Sequence, residues 1–595
     1  MSYPDLEQAK QHIEAGHLQS SLSILRQIEP KINHKNESDY HKLMSIIGNE
    51  YQDLKNLQSL PKKSKTESLK LILLNFKFDL LDANESVIQE YINHYNINDE
   101  DLKIFTKLEQ SQIYNCFAHF FYDRNSHLAI QLFTKELEHK PRSSNAHLAI
   151  SELQFRKGNC SVALNHIEKA IKIEPHNKEL YNNYIMMLHY DDATSLNSLF
   201  NAAKKYEEIC LKSLNYNPIS KLTEINKQVG NRKLKIGFVS GDFRKHALYS
   251  WLADFLTDSN FADMELFLYH NYLEDSCSLE YQKNVCNWRN LHQIDTLNAI
   301  QIIKNDEIDI LIDLSGHTRH NRLDIFLHRV APLQMTWLGQ AGPMGLSNID
   351  YMIVGKHLVQ KEEYKFYTEK ILELNSINAP YSLKKVPAKI SKTKKQDEKN
   401  NFILGSINNQ IKINTKVLEA WSKILLATET NTHLYIKNKS LDDPSTQKDM
   451  LNFFASKKIN LERIKLFGHS EKEEYYDYFN KVDLLLDSFP ICGGTTSLDA
   501  LYMGTPILTL YGKQYAHRFT ASLNTILGLD DLISYNLEEY ISKAISLIST
   551  PNKILTYHKI ISDKFINSAI CDIEEFTKDF KSKLNQKYQE LVFNN

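Results

Sequence analysis

The feature that most constrains the fold is a change of pattern near residue 229. From there on, short apolar runs such as LKIGFVS and IDILIDLSG alternate with helix-like stretches such as TLNAIQIIKND. Alternation of this kind predicts parallel β-sheets covered by helices. It occurs twice, over residues 229–382 and 401–595. The sequence therefore predicts two Rossmann-like lobes, the second of which carries a terminal helix.

The segment between the two series, residues 383–400, is rich in lysine and poor in apolar side chains (LKKVPAKISKTKKQDEKN). Such a segment cannot contribute to a core, and it predicts a solvated linker. In open α/β sheets, ligands bind beyond the carboxyl ends of the strands. Two lobes joined by a linker are therefore expected to share a binding cleft between these ends.

Residues 1–228 are expected to be helical, because apolar residues recur there at spacings of three and four. Two segments, HLAIQLFTKELEHKP and SVALNHIEKAIKIEP, end 34 residues apart at Pro141 and Pro175. A period of 34 residues with a closing proline resembles the tetratricopeptide repeat. For residues 1–110, where the spacing is degenerate, an irregular helical domain is the alternative.

Composition and charge narrow the class of protein. The chain has 71 basic and 73 acidic residues, so its net charge of -2 gives no electrostatic footprint for nucleic acid. No apolar run approaches the roughly 18 residues of a membrane span, and no secretory signal pattern opens the chain. The seven cysteines are dispersed, without a C-x-x-C pair. We therefore expect a cytoplasmic protein with neither disulfides nor a zinc site.

The stretch DSFPICGGTTSLDALYMGTP, residues 487–506, predicts an anion site between a strand and a helix. Its glycines let backbone N–H groups approach a ligand, and Thr495 or Thr496 suits the helix N-cap. Asp499, one turn further on, can reach a hydroxyl beside the anion. The pattern favours a diphosphate with an attached ribose, with a simple capped helix as the alternative. Neither a P-loop nor a G-x-G-x-x-G motif is present.

The part of the chain from about residue 230 resembles the O-linked N-acetylglucosamine transferase family, which includes O-GlcNAc transferase and SPINDLY. The matching stretches, in family order, are IGFVSGDFRKHALYS, ILIDLSGHTRHNRLDIFLHRVAPLQMTWLGQAGPMGLSNIDYMI, SINNQIKINTKVLEAW and LLLDSFPICGGTTSLDALYMGTPILTLYG. The resemblance implies a GT-B fold behind tetratricopeptide repeats. It also implies inverting transfer of N-acetylglucosamine from a UDP-sugar to Ser or Thr hydroxyls of a polypeptide that the helical repeats bind.

The resemblance further implies a role for individual positions. It assigns catalytic roles to His246, which faces sugar and acceptor, and to Lys412, which clamps the diphosphate. The implied substrate-binding residues are Asn409, Lys412, Lys472, Tyr475, Gly494, Thr495, Thr496 and Asp499 around the nucleotide, and Leu338 and Gly339 in the wall of the sugar pocket. Because all of these follow residue 229, a chain that begins near Gly230 is expected to keep the donor site.

Three departures from the family pattern leave the transferred sugar open. Tyr475 replaces a base-stacking histidine of some members, although its ring can still stack on uracil. Gly494 replaces a histidine of animal members, and residues 340–342 (QAG) replace a Y-P-G-like sequence. Transfer of glucose or fucose, including transfer to Asn, is therefore an alternative, and a catalytically silent repeat scaffold is a second class. Whether the chain self-associates is also left open.

Glycosyl transfer requires stabilisation of the departing diphosphate. The sequence has a metal-binding D-x-D pattern only at residues 99–101, within the helical region. Lys412 and the helix N-terminus are therefore expected to stabilise the negative charge of the diphosphate without a metal or other cofactor. The acceptor hydroxyl needs a base, for which His246 is the first candidate and His317 the second. Asp313 is expected to brace the loop that follows its strand.

Overall fold

The computed structural model describes residues 4–28, 37–214, 218, 232–386 and 401–593. The expected boundary at residues 228 and 229 lies outside the described residues, as does most of the predicted linker, residues 387–400. The chain divides into two compact units. The helical unit comprises residues 1–153 and 172–174, and the sheet unit comprises residues 154–171 and 175–595.

The N-terminal region is helical, as predicted. The helices that begin at Ser126 and Cys160 start 34 residues apart, as do those that begin at Ser144 and Lys178, which agrees with the repeat period. The helices before the first strand are α1 (Pro4–Glu14), α2 (Leu18–Ile28), α3 (Glu37–Ser59), α4 (Lys65–Lys77), α5 (Leu81–His94), α6 (Asp99–Leu102), α7 (Lys107–Phe121), α8 (Ser126–His139), α9 (Ser144–Arg156), α10 (Cys160–Ile173), α11 (Lys178–Leu188) and α12 (Leu196–Ser213).

Local sequence signals explain how these helices begin and pack. Thr106 caps α7, and Glu109 three residues later bonds back to the Thr106 backbone, which satisfies N–H groups at the helix start. Ala129, Ala146 and Ala163 are completely buried, and their small side chains allow neighbouring helices to approach closely. In the described residues, no helix is both long enough and apolar enough to span a membrane.

The first lobe of the sheet unit holds a seven-stranded parallel sheet. Its strands lie in the order β3-β2-β1-β4-β5-β6-β7, so the strand order reverses between β1 and β4. The elements of this lobe are β1 (Leu234–Ser240), α13 (Tyr249–Leu252), β2 (Met264–His270), α14 (Ser276–Asn284), β3 (Asn287–Asn290), α15 (Thr296–Asn305), β4 (Ile310–Asp313), α16 (Leu323–Phe326), β5 (Leu333–Trp337), β6 (Tyr351–Val354) and β7 (Lys370–Glu373).

The second lobe repeats this plan with six parallel strands in the order β10-β9-β8-β11-β12-β13, reversing between β8 and β11. Its elements are β8 (Phe402–Ser406), α17 (Thr415–Leu426), β9 (Thr432–Lys437), α18 (Pro444–Ser456), β10 (Ile464–Phe467), α19 (Lys472–Lys481), β11 (Leu484–Leu486), α20 (Thr495–Tyr502), β12 (Ile507–Leu510), α21 (Phe519–Leu527), β13 (Ile533–Ser534), α22 (Leu537–Ile548), α23 (Pro551–Lys564) and α24 (Ile573–Phe593). The predicted pair of Rossmann-like lobes is confirmed.

The terminal helix α24 packs against the first lobe, although the sequence analysis grouped it with the second. Phe576 and Phe580 contact the rings of Phe255 and Trp337. The Tyr588 hydroxyl donates to Asp309 at 2.8 Å. Since the buried side chains of α24 and of both sheets form one continuous apolar core, this helix ties the lobes together.

Candidate active site

The candidate site lies where the strand order of each sheet reverses. The loops after β1 and β4 carry His246 and His317, and the loops after β8 and β11 carry Lys412 and the Cys492–Thr496 segment. A cavity of about 510 Å³ lies among these loops. Eight of the residues implied by the family resemblance line it: His246, Leu338, Gly339, Asn409, Lys412, Gly494, Thr495 and Thr496.

Lys412 ends a short 3-10 turn, Gln410–Lys412, that follows β8. Asn409 begins this turn, and its side-chain oxygen accepts the Ile411 N–H at 3.3 Å. The Lys412 ammonium donates to the Cys492 carbonyl at 2.8 Å. Burial lowers the pKa of Lys412, while nearby Cys492 and Asp487 oppose the shift. The ammonium is thus bonded to a neutral carbonyl rather than to a carboxylate.

The glycine-containing loop is anchored by Asp487, which directly follows β11 and is buried. Its carboxylate accepts the Gly493 N–H at 2.8 Å and the Thr509 hydroxyl at 2.8 Å. At Gly493 an added Cβ would lie 2.1 Å from Ser497 Oγ, so a side chain there would force that hydroxyl to move. At Gly494, by contrast, a Cβ would have no neighbour within 4 Å. Packing therefore disfavours a side chain at the first glycine and leaves space for one at the second.

The helix that follows this loop begins differently from the expectation. The predicted N-cap, Thr495 or Thr496, is wrong: Gly494 is the N-cap and Thr495 is the first helical residue. A glycine cannot cap with a side chain, so within the described residues no side chain caps the N–H groups at the start of α20. The N–H groups of a first turn without a side-chain cap are well suited to an anion.

Asp499 lies further along α20, outside the cavity lining, and it is buried among three tyrosines. The hydroxyl of Tyr475 donates to it at 2.8 Å and that of Tyr476 at 3.0 Å, and Tyr381 of the first lobe donates as well. Burial raises the pKa of Asp499, whereas these hydrogen bonds and the charge of Lys472 lower it. A carboxylate has about four acceptor positions, of which these hydroxyls occupy three.

The structure thus gives Tyr475 a second role beside the expected stacking on the base, since its hydroxyl is bonded to Asp499. Lys472 opens α19, the same helix that carries Tyr475. Sequence reasoning missed Tyr381 and Tyr476. Tyr476 is adjacent to an assigned position, but nothing in the sequence links Tyr381 to α20.

His246 lies at the cavity edge, with 38% of its side chain exposed. Its Nδ1 lies 3.8 Å from Asp242 Oδ2 and accepts the Leu248 N–H at 3.4 Å. Partial burial lowers the pKa of His246, although Asp242 raises it. Because both described contacts involve Nδ1, the other ring nitrogen, Nε2, is the one available to a ligand.

His317 is unsuited to act as the base. It is buried, and its ring nitrogens lie 2.9 Å from Asn182 Oδ1 and 2.9 Å from the Met344 carbonyl. Burial lowers the pKa of His317 to about 4. Asp313 braces its loop, since its carboxylate accepts the N–H groups of Ser315 and Gly316 at 3.1 and 2.9 Å. Both residues therefore shape the loop after β4.

Leu338 and Gly339 form one wall of the cavity under tight backbone constraints. Leu338 adopts a φ of +61°, which is uncommon for a residue with a side chain. A Cβ at Gly339 would lie 2.4 Å from the Ser315 carbonyl carbon, so only glycine fits there. Gln340 accepts the His317 N–H at 2.9 Å. Gln340 thus joins the loop after β5 to the loop after β4.

Helix α11 contributes to the cavity, which sequence reasoning missed. Met186 of α11 and the following His189 and Tyr190 line it. The Gln340 amide donates to the His189 ring at 3.0 Å, and the His517 ring donates to the His189 carbonyl at 3.0 Å. Residues before 229 therefore contribute to the cavity, because α11 and the residues that follow it touch loops of both lobes.

Trp251 and Phe519 also line the cavity and were not singled out from sequence. The D-x-D pattern lies on α6 of the helical unit, where Asp99 accepts from Tyr114 and Lys135. In the part of the chain that the structure describes, no group of three or more His, Cys, Asp or Glu side chains could hold a metal ion.

The fold and the cleft are those of a GT-B glycosyltransferase. The chain belongs to glycosyl transferase family 41, whose model matches residues 186–378 and 381–580. The match begins within α11, so it includes the residues that α11 contributes to the cavity.

Individual relatives agree with this assignment. The chain is 29% identical over 422 residues to a protein of Oryza sativa subsp. japonica named "Probable UDP-N-acetylglucosamine--peptide N-acetylglucosaminyltransferase SPINDLY", covering 70% of this chain and 45% of that protein. It is 26% identical to the Arabidopsis thaliana protein named SEC, covering 60% and 37%. The chain thus spans less than half the length of these relatives. A mutant form of the O-GlcNAc transferase of Thermobaculum terrenum has the same fold, with a TM-score of 0.76, 23% identity, and coverage of 90% and 99%.

Proposed function

We propose that the chain is an inverting protein glycosyltransferase that moves N-acetylglucosamine from UDP-N-acetylglucosamine to Ser or Thr hydroxyls. The observation that carries the proposal is the meeting of Lys412, the Gly493–Gly494 loop and the start of α20 in one cavity. The printed names of the SPINDLY and SEC relatives support the choice of donor.

The departing UDP would be stabilised by fixed groups of the second lobe. Lys412 supplies a positive charge, and the first turn of α20 supplies N–H groups, with Thr495 and Thr496 beside them. Such preorganised groups stabilise developing negative charge without reorganisation during the reaction. Asp499 would accept a ribose hydroxyl, and Tyr475 would lie beside the base. We propose that this arrangement works without a metal ion.

The acceptor hydroxyl would meet the sugar on the side of the first lobe. His246 is the proposed base in the tautomer that carries its proton on Nδ1, where Asp242 stabilises the protonated ring and Nε2 is free to take the proton of the hydroxyl. This tautomer gives up the 3.4 Å hydrogen bond from the Leu248 N–H. Direct attack on the face opposite the departing diphosphate inverts the anomeric centre. Leu338 and Gly339 would bound the sugar.

The helical repeats would present the polypeptide acceptor, as stacked helix pairs do in other repeat proteins. We place the reaction in the cytoplasm, which the seven free cysteines support. Neither nucleic acid nor membrane is proposed as a partner, and self-association is left to measurement.

The test is transfer by the full chain. The purified protein is incubated with UDP-N-acetylglucosamine, UDP-glucose or GDP-fucose, and donor hydrolysis and the intact mass of co-expressed proteins are measured. The expected result is hydrolysis of UDP-N-acetylglucosamine and a mass increase of one N-acetylhexosamine on an acceptor. A hexose or deoxyhexose would favour the alternative sugars, and absence of both hydrolysis and UDP binding would favour a silent scaffold.

A further inference from the structure

We infer that Trp251 is a positioning residue that directs the Thr495 hydroxyl toward the diphosphate of the donor. The inference rests on the proposed function, because it assumes that a nucleoside diphosphate occupies the cavity. Nothing in the family resemblance assigns a role to Trp251, and the residue belongs to the lobe opposite the one that carries Thr495.

The geometry fixes Trp251 from two sides. Its indole Nε1 donates to Thr495 Oγ1 at 3.0 Å, across the cleft between the lobes. Its ring stacks on Phe519, with ring centroids 5.2 Å apart and an interplanar angle of 18°. The neighbouring backbone is fixed as well, because the Ser250 carbonyl accepts the Ser382 N–H at 2.9 Å. Trp251 is 9% exposed, so the indole has little freedom to turn away.

The chemistry of the two groups sets the direction of the hydroxyl proton. An indole N–H can only donate, so the Thr495 oxygen must accept. The single proton of the hydroxyl then points to some other acceptor. Thr495 lines the same cavity as Lys412, and the acceptor expected there is a phosphate oxygen. A hydroxyl that accepts one hydrogen bond also donates a stronger one.

The adjacent Thr496 provides an internal comparison. It lines the same cavity, but within the described residues no indole donates to its hydroxyl. The two threonines look equivalent in the sequence, yet among the described contacts the indole of the opposite lobe bonds to Thr495 and not to Thr496. Trp251 therefore supplies the donor site with a contact from the first lobe. This contact exists only while the two lobes face each other across the cleft.

The experiment compares UDP with uridine, which lacks the diphosphate. Trp251→Phe in the full chain removes the N–H and keeps a ring on Phe519. We expect the Kd for UDP, measured by calorimetry, to rise about three- to tenfold, as for loss of one hydrogen bond between neutral groups. We expect uridine, measured by competition, to bind unchanged. Trp251→His, which retains a ring N–H, is expected to recover part of the affinity for UDP.

Double variants then test whether Trp251 affects UDP binding through the Thr495 hydroxyl. Trp251→Phe should add no further loss in a Thr495→Val background but should act fully in a Thr496→Val background. Equal weakening of UDP and uridine, an unchanged Kd for UDP, or the same loss in both threonine backgrounds would overturn the inference. A wild-type chain that binds no UDP would instead overturn the proposed function. Thermal unfolding of each variant shows that it is folded.

Discussion

The Lys412 ammonium and the Cys492 carbonyl are joined by a hydrogen bond of 2.8 Å. This bond links the loop after β8 to the glycine-containing loop after β11, at the place where the strand order of the second sheet reverses. The lysine is thereby held beside the start of α20 before any ligand arrives. Charge placed in advance in this way lowers the barrier to departure of an anionic leaving group.

Lys412→Ala is expected to lower kcat by about 100- to 1000-fold, because a preorganised charge on the leaving group is lost. The matched control is Lys416→Ala, which removes an exposed lysine of α17 paired with Asp192 at 2.7 Å. The measurement is the rate of UDP-sugar hydrolysis and of transfer, with thermal unfolding as the check on folding. Substantial turnover by a folded Lys412→Ala protein would count against the assignment.

Activity is expected to survive EDTA, because Lys412 and the first turn of α20 are proposed to stabilise the negative charge of the diphosphate in place of a metal ion. The measurement is the initial rate of transfer before and after chelation, followed by addition of Mg²⁺ or Mn²⁺. A rate that falls with EDTA and returns with either ion would reveal a metal requirement.

Truncation is expected to separate two parts of the helical region. A chain that begins at Ser144, where α9 starts, should bind UDP, because it keeps α11 and α12. A chain that begins near Gly230 should not bind UDP, because it lacks His189, which lines the cavity. It also loses Glu207, which accepts from the N–H and the hydroxyl of Ser347, each at 2.6 Å.

Calorimetry with UDP on both shortened chains tests this division. The longer fragment should bind UDP like the full chain and lose activity on protein acceptors, if the removed repeats bind the acceptor. Equal UDP affinity of the two fragments would show that α11 and α12 are dispensable for the donor site.

Tyr381→Phe is expected to make UDP binding more sensitive to acid. Burial raises the pKa of Asp499 and the Tyr381 hydroxyl opposes this rise, so the substitution raises the pKa further. The carboxylate is the form that accepts a ribose hydroxyl. Affinity should therefore fall as pH falls through this pKa, and in the variant the fall should begin at a higher pH.

The measurement is the Kd for UDP across the acidic range in wild type, Tyr381→Phe and Tyr478→Phe. Tyr478 is a matched control, because its hydroxyl donates to the Tyr435 carbonyl at 2.8 Å and not to Asp499. The titration of UDP itself is common to all three proteins. Superimposable profiles for wild type and Tyr381→Phe would refute the prediction.

Much of the fold could be predicted from the sequence because its signals are local. Alternation of apolar runs with helical stretches predicted both lobes, and the 34-residue offset predicted the repeat period. The loop-to-helix stretch at residues 487–506 was placed correctly, since glycine and threonine mark the end of a strand and the start of a helix. The N-cap was assigned to the wrong residue because threonine is usually a better cap than glycine. In the structure Asp487 binds the Gly493 N–H, and the helix then begins one residue earlier than expected, with Gly494 as its N-cap.

What the sequence did not reveal depends on contacts between distant segments. His189 and Gln340 are 151 residues apart in the chain, and Trp251 and Thr495 are 244 apart. No periodicity or motif links such pairs, because the two residues of each pair lie in separate helices or loops that have no shared sequence pattern. The role of α11 in the cavity and the first-lobe partners of α20 were missed for this reason.

The contrast between Gly493 and Gly494 bears on how this site can diversify. Substitution at Gly493 would displace the Ser497 hydroxyl, which is bonded to the Thr520 hydroxyl at 2.9 Å, so a side chain there would cost that hydrogen bond. Gly494 borders the cavity, and an added Cβ there would have no neighbour within 4 Å. We therefore expect Gly494, rather than Gly493, to be the position at which a single codon change alters what the cavity binds while the loop keeps its place.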